Sequence, residues 1–221
     1  MTSIIKVNNI QSSASNAAAT IASNGAVTFP QSATFSGGAT FNQVPVGAGS
    51  MIKILDETIS STGMYILGST YINSTYNSYM IQIETVPNVD SNYFYSDAYV
   101  GGSVVNSGNV YSRYVREIGS GDVWNSPGQD EMVLYNRNAL GSAANEGITV
   151  NALLQNVNST TRSACINGMS SYWDDGGELK IANFGGGFKA ANASSVVNGI
   201  NFYYGNGSTT FTGTIKLYGV L

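Results

Sequence analysis

The 221-residue sequence contains no histidine and a single cysteine. The first absence removes the commonest general base near neutral pH, the Ser-His and Cys-His nucleophile pairs, and most transition-metal sites. The second excludes an intrachain disulfide and a cysteine-based zinc site. Cys165, in SACING, reads as a small buried residue on a strand running into a turn rather than as a reactive thiol. Charge is scarce as well. Asp, Glu, Lys and Arg make up 10% of the chain and the net charge is −4, against a usual charged share of about 25%. No basic stretch exists, so nucleic acid is not an expected partner, because neutralising phosphates needs clustered Lys and Arg. No run approaches the roughly 18 apolar residues of a membrane span. The opening MTSIIKVNNIQSSAS lacks the apolar centre of a signal peptide. The expectation is a soluble protein that uses no membrane, no metal and no cofactor.

What the chain does have begins with a ladder of rings. GAVTFP, QSATFS and GGATFN follow one another over residues 25–42, with Phe29, Phe35 and Phe41 six apart. Side chains alternate faces along a strand, so an even spacing puts all three rings on one side. On a helix six residues turn through about 600°, and successive rings would drift around the axis. Gly37-Gly38, Pro30 and the Thr-rich filling also disfavour a helix. A short extended segment cannot bury three rings by itself. They pack either on the rest of the same chain, as an edge strand, or on the same rings of sister molecules around a symmetry axis. Small residues between large ones suit the crowded turns of the second arrangement. In a trimer, nine buried rings at about 1.5–3 kcal/mol each would contribute roughly 14–27 kcal/mol before ordering costs.

From Met51 onward, apolar runs of strand length recur between turn residues. In SYMIQIE, Tyr79, Ile81 and Ile83 share one face, with Gln82 and Glu84 on the other. In FTGTIKLYG, Phe211, Ile215 and Leu217 oppose Thr212, Thr214 and Lys216. This is the pattern of half-buried strands. Asn206-Gly207 is a hairpin signal, because both residues tolerate positive φ. Asn167-Gly168, Asn198-Gly199 and Asp175-Gly176-Gly177 punctuate similarly. About ten strands and no convincing helix point to an all-β fold, a two-sheet antiparallel sandwich of jelly-roll type. KAANASSVVNG is the one stretch where a short helical turn fits. The chain thus divides into an extended tail (1–24), a hexad-repeat stalk (25–46) and a β-sandwich head (47–221).

Candidate chemistry is sparse. The adjacent carboxylates Asp56-Glu57, Asp130-Glu131 and Asp174-Asp175 point to opposite faces if they lie in strands, so none is a ready acid/base pair. No catalytic residue is assigned. In SSYWDDGGELKI, Trp173 offers a platform for a sugar ring, with Asp174 and Asp175 as hydroxyl acceptors; the same letters also read as ordinary turn chemistry. Trp124, in GSGDVWNSPGQDE, lies in the longest irregular region, either at a binding tip or as a loop anchor. Fourteen tyrosines suit a wet recognition surface, and they also suit strands. Arg113 and Arg116, three apart, face opposite ways and make no phosphate clamp.

The opening IIKVNNIQSSASNAAATIASNGAVTF resembles the start of virion fibre and surface proteins of tailed bacteriophages, marine ones especially. The ending GINFYYGNGSTTFTGTIKLYGVL is similar to their closing strands, with Phe211, Gly213, Ile215, Leu217, Tyr218 and Gly219 at the matching positions. The likeness covers the two ends, about a quarter of the chain. It implies a homotrimeric, noncatalytic protein of the virion. Its N-terminal part would dock on other virion proteins of capsid or tail, and its β head would face outward toward host surface glycans. A stand-alone lectin-like module is the alternative from another class.

Overall fold

The computed structural model describes residues 9–11, 17–21 and 27–28, and residues 51–220 apart from 91–92, 108–110, 119–122, 136–139, 144, 189–193 and 206. Phe29, Phe35 and Phe41, and all of the expected stalk (25–46) except Val27–Thr28, lie outside the described residues. The chain separates into two compact units, Met1–Ala48 and Gly49–Leu221.

In the first unit, β1 (Asn9–Gln11), β2 (Ala17–Ile21) and β3 (Val27–Thr28) form a small antiparallel sheet in the order β1-β2-β3. Within the tail expected over 1–24, β1 pairs with β2, and β3 pairs back to β2 across the expected boundary at residue 25. The sequence between β2 and β3 contains Asn24-Gly25, the dipeptide that favours a reversal between two strands.

The second unit is all-β, with no helix among the described residues. Its strands are β4 (Met51–Thr62), β5 (Met64–Leu67), β6 (Ser78–Pro87), β7 (Phe94–Val100), β8 (Ser103–Val105), β9 (Tyr111–Glu117), β10 (Val123–Gln129), β11 (Met132–Val133), β12 (Gly147–Gln155), β13 (Cys165–Trp173), β14 (Leu179–Phe188), β15 (Val197–Tyr204) and β16 (Phe211–Val220). The larger sheet runs β10-β9-β14-β13-β12-β6-β16-β4, every pair antiparallel. The smaller runs β11-β7-β15-β5, with β8 also paired to β7.

The alternation expected in β6 and β16 holds. Tyr79, Ile81, Ile83, Phe211, Ile215 and Leu217 are buried, while Gln82, Glu84, Thr212, Thr214 and Lys216 are exposed. These inward residues meet the inner face of the smaller sheet. Phe94 of β7 lies 4.7 Å from the Tyr204 ring and 6.1 Å, edge-on, from Phe211. Such pairs add about 0.5–1.5 kcal/mol each beyond the area they bury. The buried Tyr204 hydroxyl is satisfied by Thr85 Oγ1 at 2.8 Å, and the Tyr111 hydroxyl accepts from Ala98 N at 2.8 Å. Both bonds cross from one sheet to the other.

Several turn readings change. Asn206-Gly207 was expected to close a hairpin, yet β15 and β16 belong to different sheets, with an isolated bridge between Tyr204 and Thr209 near the turn. The turn is real, with Gly205 and Gly207 at positive φ, but it carries the chain across the core. Asn167-Gly168 is no turn: it sits inside β13, where a Cβ on Gly168 would collide with the Asn151 carbonyl oxygen of β12. Asn198-Gly199 falls at an irregularity within β15. Asp175-Gly176-Gly177 does turn, between β13 and β14. Cys165 begins β13 half-buried on the outer face, not in the core, and the strand continues past it.

The sheet margins are protected against further pairing. Edge strand β10 carries Pro127, which lacks an N–H, and edge strand β4 exposes Lys53, Asp56 and Glu57. Glycines in the closing strand have a packing reason. A Cβ on Gly213 would strike the Glu84 carbonyl oxygen, and one on Gly219 would enter the Tyr76 ring.

Candidate functional site

The outer face of the larger sheet carries the first candidate. Registered partners across it run Tyr218, Met80, Leu153, Asn167, Gly185 and Tyr114, and in the next row Lys216, Gln82, Asn151, Met169, Asn183 and Arg116. The face is mostly amide, hydroxyl and apolar, with charge of both signs at Lys216, Arg116 and Glu84. At its centre Met80, Leu153, Met169 and Ile181 line a groove of about 420 Å³. Met169 is 50% exposed and Ile181 40%.

Trp173 lies at one end of the same face, half-buried, beside a groove of about 340 Å³ that it shares with Leu179, Thr149, Thr214, Glu84 and Glu146. The acids that line this groove with Trp173 are Glu84 and Glu146, not the expected Asp174 and Asp175. Asp174 is buried. Its Oδ1 accepts from Gly176 N at 3.1 Å and Glu178 N at 2.8 Å, while Oδ2 lies 3.8 Å from Lys180 Nζ. That carboxylate closes the β13–β14 turn. Asp175 is exposed on the turn. Trp124 was expected in an irregular loop and instead belongs to β10, in register with Val115 of β9. Counting strands and residues puts its Cα roughly 20 Å from that of Trp173, so the two do not share one site.

The second candidate was not visible in the sequence. On the outer face of the smaller sheet, Tyr95 and Asp97 of β7 stand opposite Tyr203 and Asn201 of β15. Tyr95, Asp97 and Tyr203, with Met64 and Glu131, border a pocket of about 360 Å³. The Tyr95 and Tyr203 rings are 5.6 Å apart. Asp97 is 1% exposed, and its Oδ1 has no hydrogen-bond partner. Burial pushes this carboxyl up to about 7; the Tyr203 and Asn201 side chains pull against the rise, and Glu131 and Asp130 add to it. Burial, then the Asp97 charge, raise the Tyr203 hydroxyl.

Glu131 is positioned by Arg113, which is buried on the inner face of β9 while Arg116 is exposed on the other. Arg113 Nη1 donates to the Glu131 carbonyl oxygen and to Oε1, both at 3.2 Å, and Nη2 donates to Gln129 Oε1 at 2.8 Å. This guanidinium clamps the two-residue step by which the chain leaves β10 in one sheet and enters β11 in the other. Two carboxyls thus meet at the pocket, but one is held in an ion pair and the other retains its proton to near neutrality. No group of three or more Asp, Glu, Cys or His side chains fit to bind a metal exists among the described residues.

The only available sequence signal for this site was a lone acid inside the aromatic strand YFYSDAYV. No protein-family model matches the chain, and no curated protein or solved structure matches it significantly.

Proposed function

We propose that this protein is a homotrimeric structural component of a tailed-bacteriophage virion, a surface fibre or a decoration protein of capsid or tail. Its head is a jelly-roll-type knob, and its work is mechanical and adhesive rather than catalytic. The observation that carries the reading is the outer face of the eight-stranded sheet. Seven inter-strand spacings of about 4.8 Å and eight residue steps of about 3.3 Å give a face of roughly 900 Å². This is close to the ~800 Å² that each partner contributes to a standard protein interface. Its charges are few and of both signs, and an apolar groove lies at the middle. Such a face suits a second copy of the same chain, because like copies with a strongly charged face would repel. The resemblance at both chain ends and the separate N-terminal unit support the same assignment.

Labelling of intact particles with an antibody against the head tests this directly. Regular decoration of capsid or tail is the expected result, and particles lacking the protein would refute it. A lectin-like module is the second reading, favoured by the Trp173 groove with Glu84 and Glu146 beside it. A monomeric protein whose tight sugar binding is abolished by Trp173→Ala would establish that reading in place of the first.

A further inference from the structure

The pocket on the smaller sheet has no part in assembly through the larger one. Its chemistry points to a particular ligand group. Asp97 is almost fully buried, yet one carboxylate oxygen is unmatched. An unmet buried acceptor is costly, and a donor entering the pocket would relieve that cost. The charged groups around Asp97 are mainly acidic: Glu131 and Asp130 from the β10–β11 step. The tyrosines are Tyr203 on β15, Tyr95 on its own strand and Tyr111 on β9. The nearby cation, Arg113, is already engaged by Glu131 and Gln129. Among the described residues, no Lys or Arg lines the pocket. Two tyrosine rings flank the opening, and aromatic faces attract cations. A divalent metal fits poorly, since no set of three acidic, Cys or His ligands occurs among the described residues.

We propose that this pocket binds a small ligand through a protonated amine, with Asp97 Oδ1 accepting an N–H and the Tyr95 and Tyr203 rings bordering the ammonium. The volume of about 360 Å³ lies in the range of small-molecule sites and admits one amino-sugar ring. The inference deepens the adhesive role proposed above. It rests on that role for the source of the ligand, an amine-bearing surface glycan; the pocket chemistry stands apart from trimer formation.

The test is calorimetric titration of the full-length protein with glucosamine and, separately, with glucose, its neutral counterpart. Glucosamine binds at about pH 7 at least roughly tenfold more tightly than glucose. Its affinity falls about tenfold or more between pH 7 and about pH 5.5, as Asp97 takes up a proton. That direction is diagnostic, because protonation of the amine alone would strengthen binding on acidification. Asp97→Asn lowers glucosamine affinity at least about tenfold, and Glu131→Gln lowers it by a smaller factor. Thermal melts of each variant verify folding, and light scattering on the same samples reads the oligomer. Loss of binding with the oligomer intact locates the effect in the pocket. Equal affinity for glucose and glucosamine, no heat with glucosamine up to about 20 mM, or unchanged binding by a folded Asp97→Asn protein overturns the proposal.

Discussion

Asp97 makes the fold pay attention to pH in an unusual direction, and Asp97→Asn isolates that effect. An aspartate carboxyl ordinarily titrates at 3.8, and in the folded protein burial moves it to about 7. Between those values the folded chain holds a proton that the unfolded chain has released. Stability from this group is therefore full below the ordinary value and is lost as pH rises through about 7. The loss runs at about 1.4 kcal/mol per pH unit and amounts to about 4 kcal/mol in all. Asn cannot ionise, so the variant escapes the loss, at a cost of about 1 kcal/mol for altered hydrogen bonding beside Tyr203 and Asn201. At about pH 8 the variant is expected to be more stable than the parent by about 2–4 kcal/mol; at about pH 4 it is equal or slightly less stable. The assay is urea unfolding of the full-length protein at fixed concentration across that range, since association would otherwise shift the midpoint. Asp56 and Asp90, whose carboxyls are lowered by the Lys53 and Ser142 partners, act oppositely in acid, and the difference between parent and variant cancels them. A parent–variant difference independent of pH would refute the reasoning.

Three further outcomes follow from the packing. Tyr204→Phe removes the hydroxyl that satisfies Thr85 across the core and is expected to cost about 1–2 kcal/mol in a urea titration, with the fold retained. Gly213→Ala places a Cβ against the Glu84 carbonyl and is expected to cost about 1–3 kcal/mol or more, whereas Gly101→Ala, at a turn where no atom lies within 4 Å, costs only the strain of its positive φ. Met169→Glu puts a charge at the centre of the exposed face of the larger sheet; the head stays folded by circular dichroism while the oligomer weakens at least about tenfold.

Much of the head was readable from alternation alone. Tyr79, Ile81 and Ile83 identified both a strand and its buried side, because a one-residue register slip would expose all three. Central strand β13 was hidden because its residues are turn-like in isolation. Asn167 stands on the outer face, and Gly168 is needed for the close approach of β12, so local propensity and tertiary packing disagree there. Strand β10 was hidden by Pro127 and Gly128, which an edge position tolerates. The β15–β16 turn was legible as a turn but not as a crossing, since dipeptide chemistry does not specify which sheet receives the next strand. Among the candidate residues, Trp173 lies beside a groove that the sequence did not show, and the burial of Asp174 depended on the amides of its own turn. The Asp97 pocket joins β7, β15 and the β10–β11 step, elements far apart in sequence, and so left no local trace.

The central claim is that this chain works as three copies meeting through shared faces. Light scattering on the purified full-length protein at micromolar concentration tests it most directly. The account predicts a mass three times the 23.2 kDa of one chain, reduced in size or stability by Phe35→Ser and by Met169→Glu. A parent protein that remains a 23.2 kDa monomer at that concentration contradicts it.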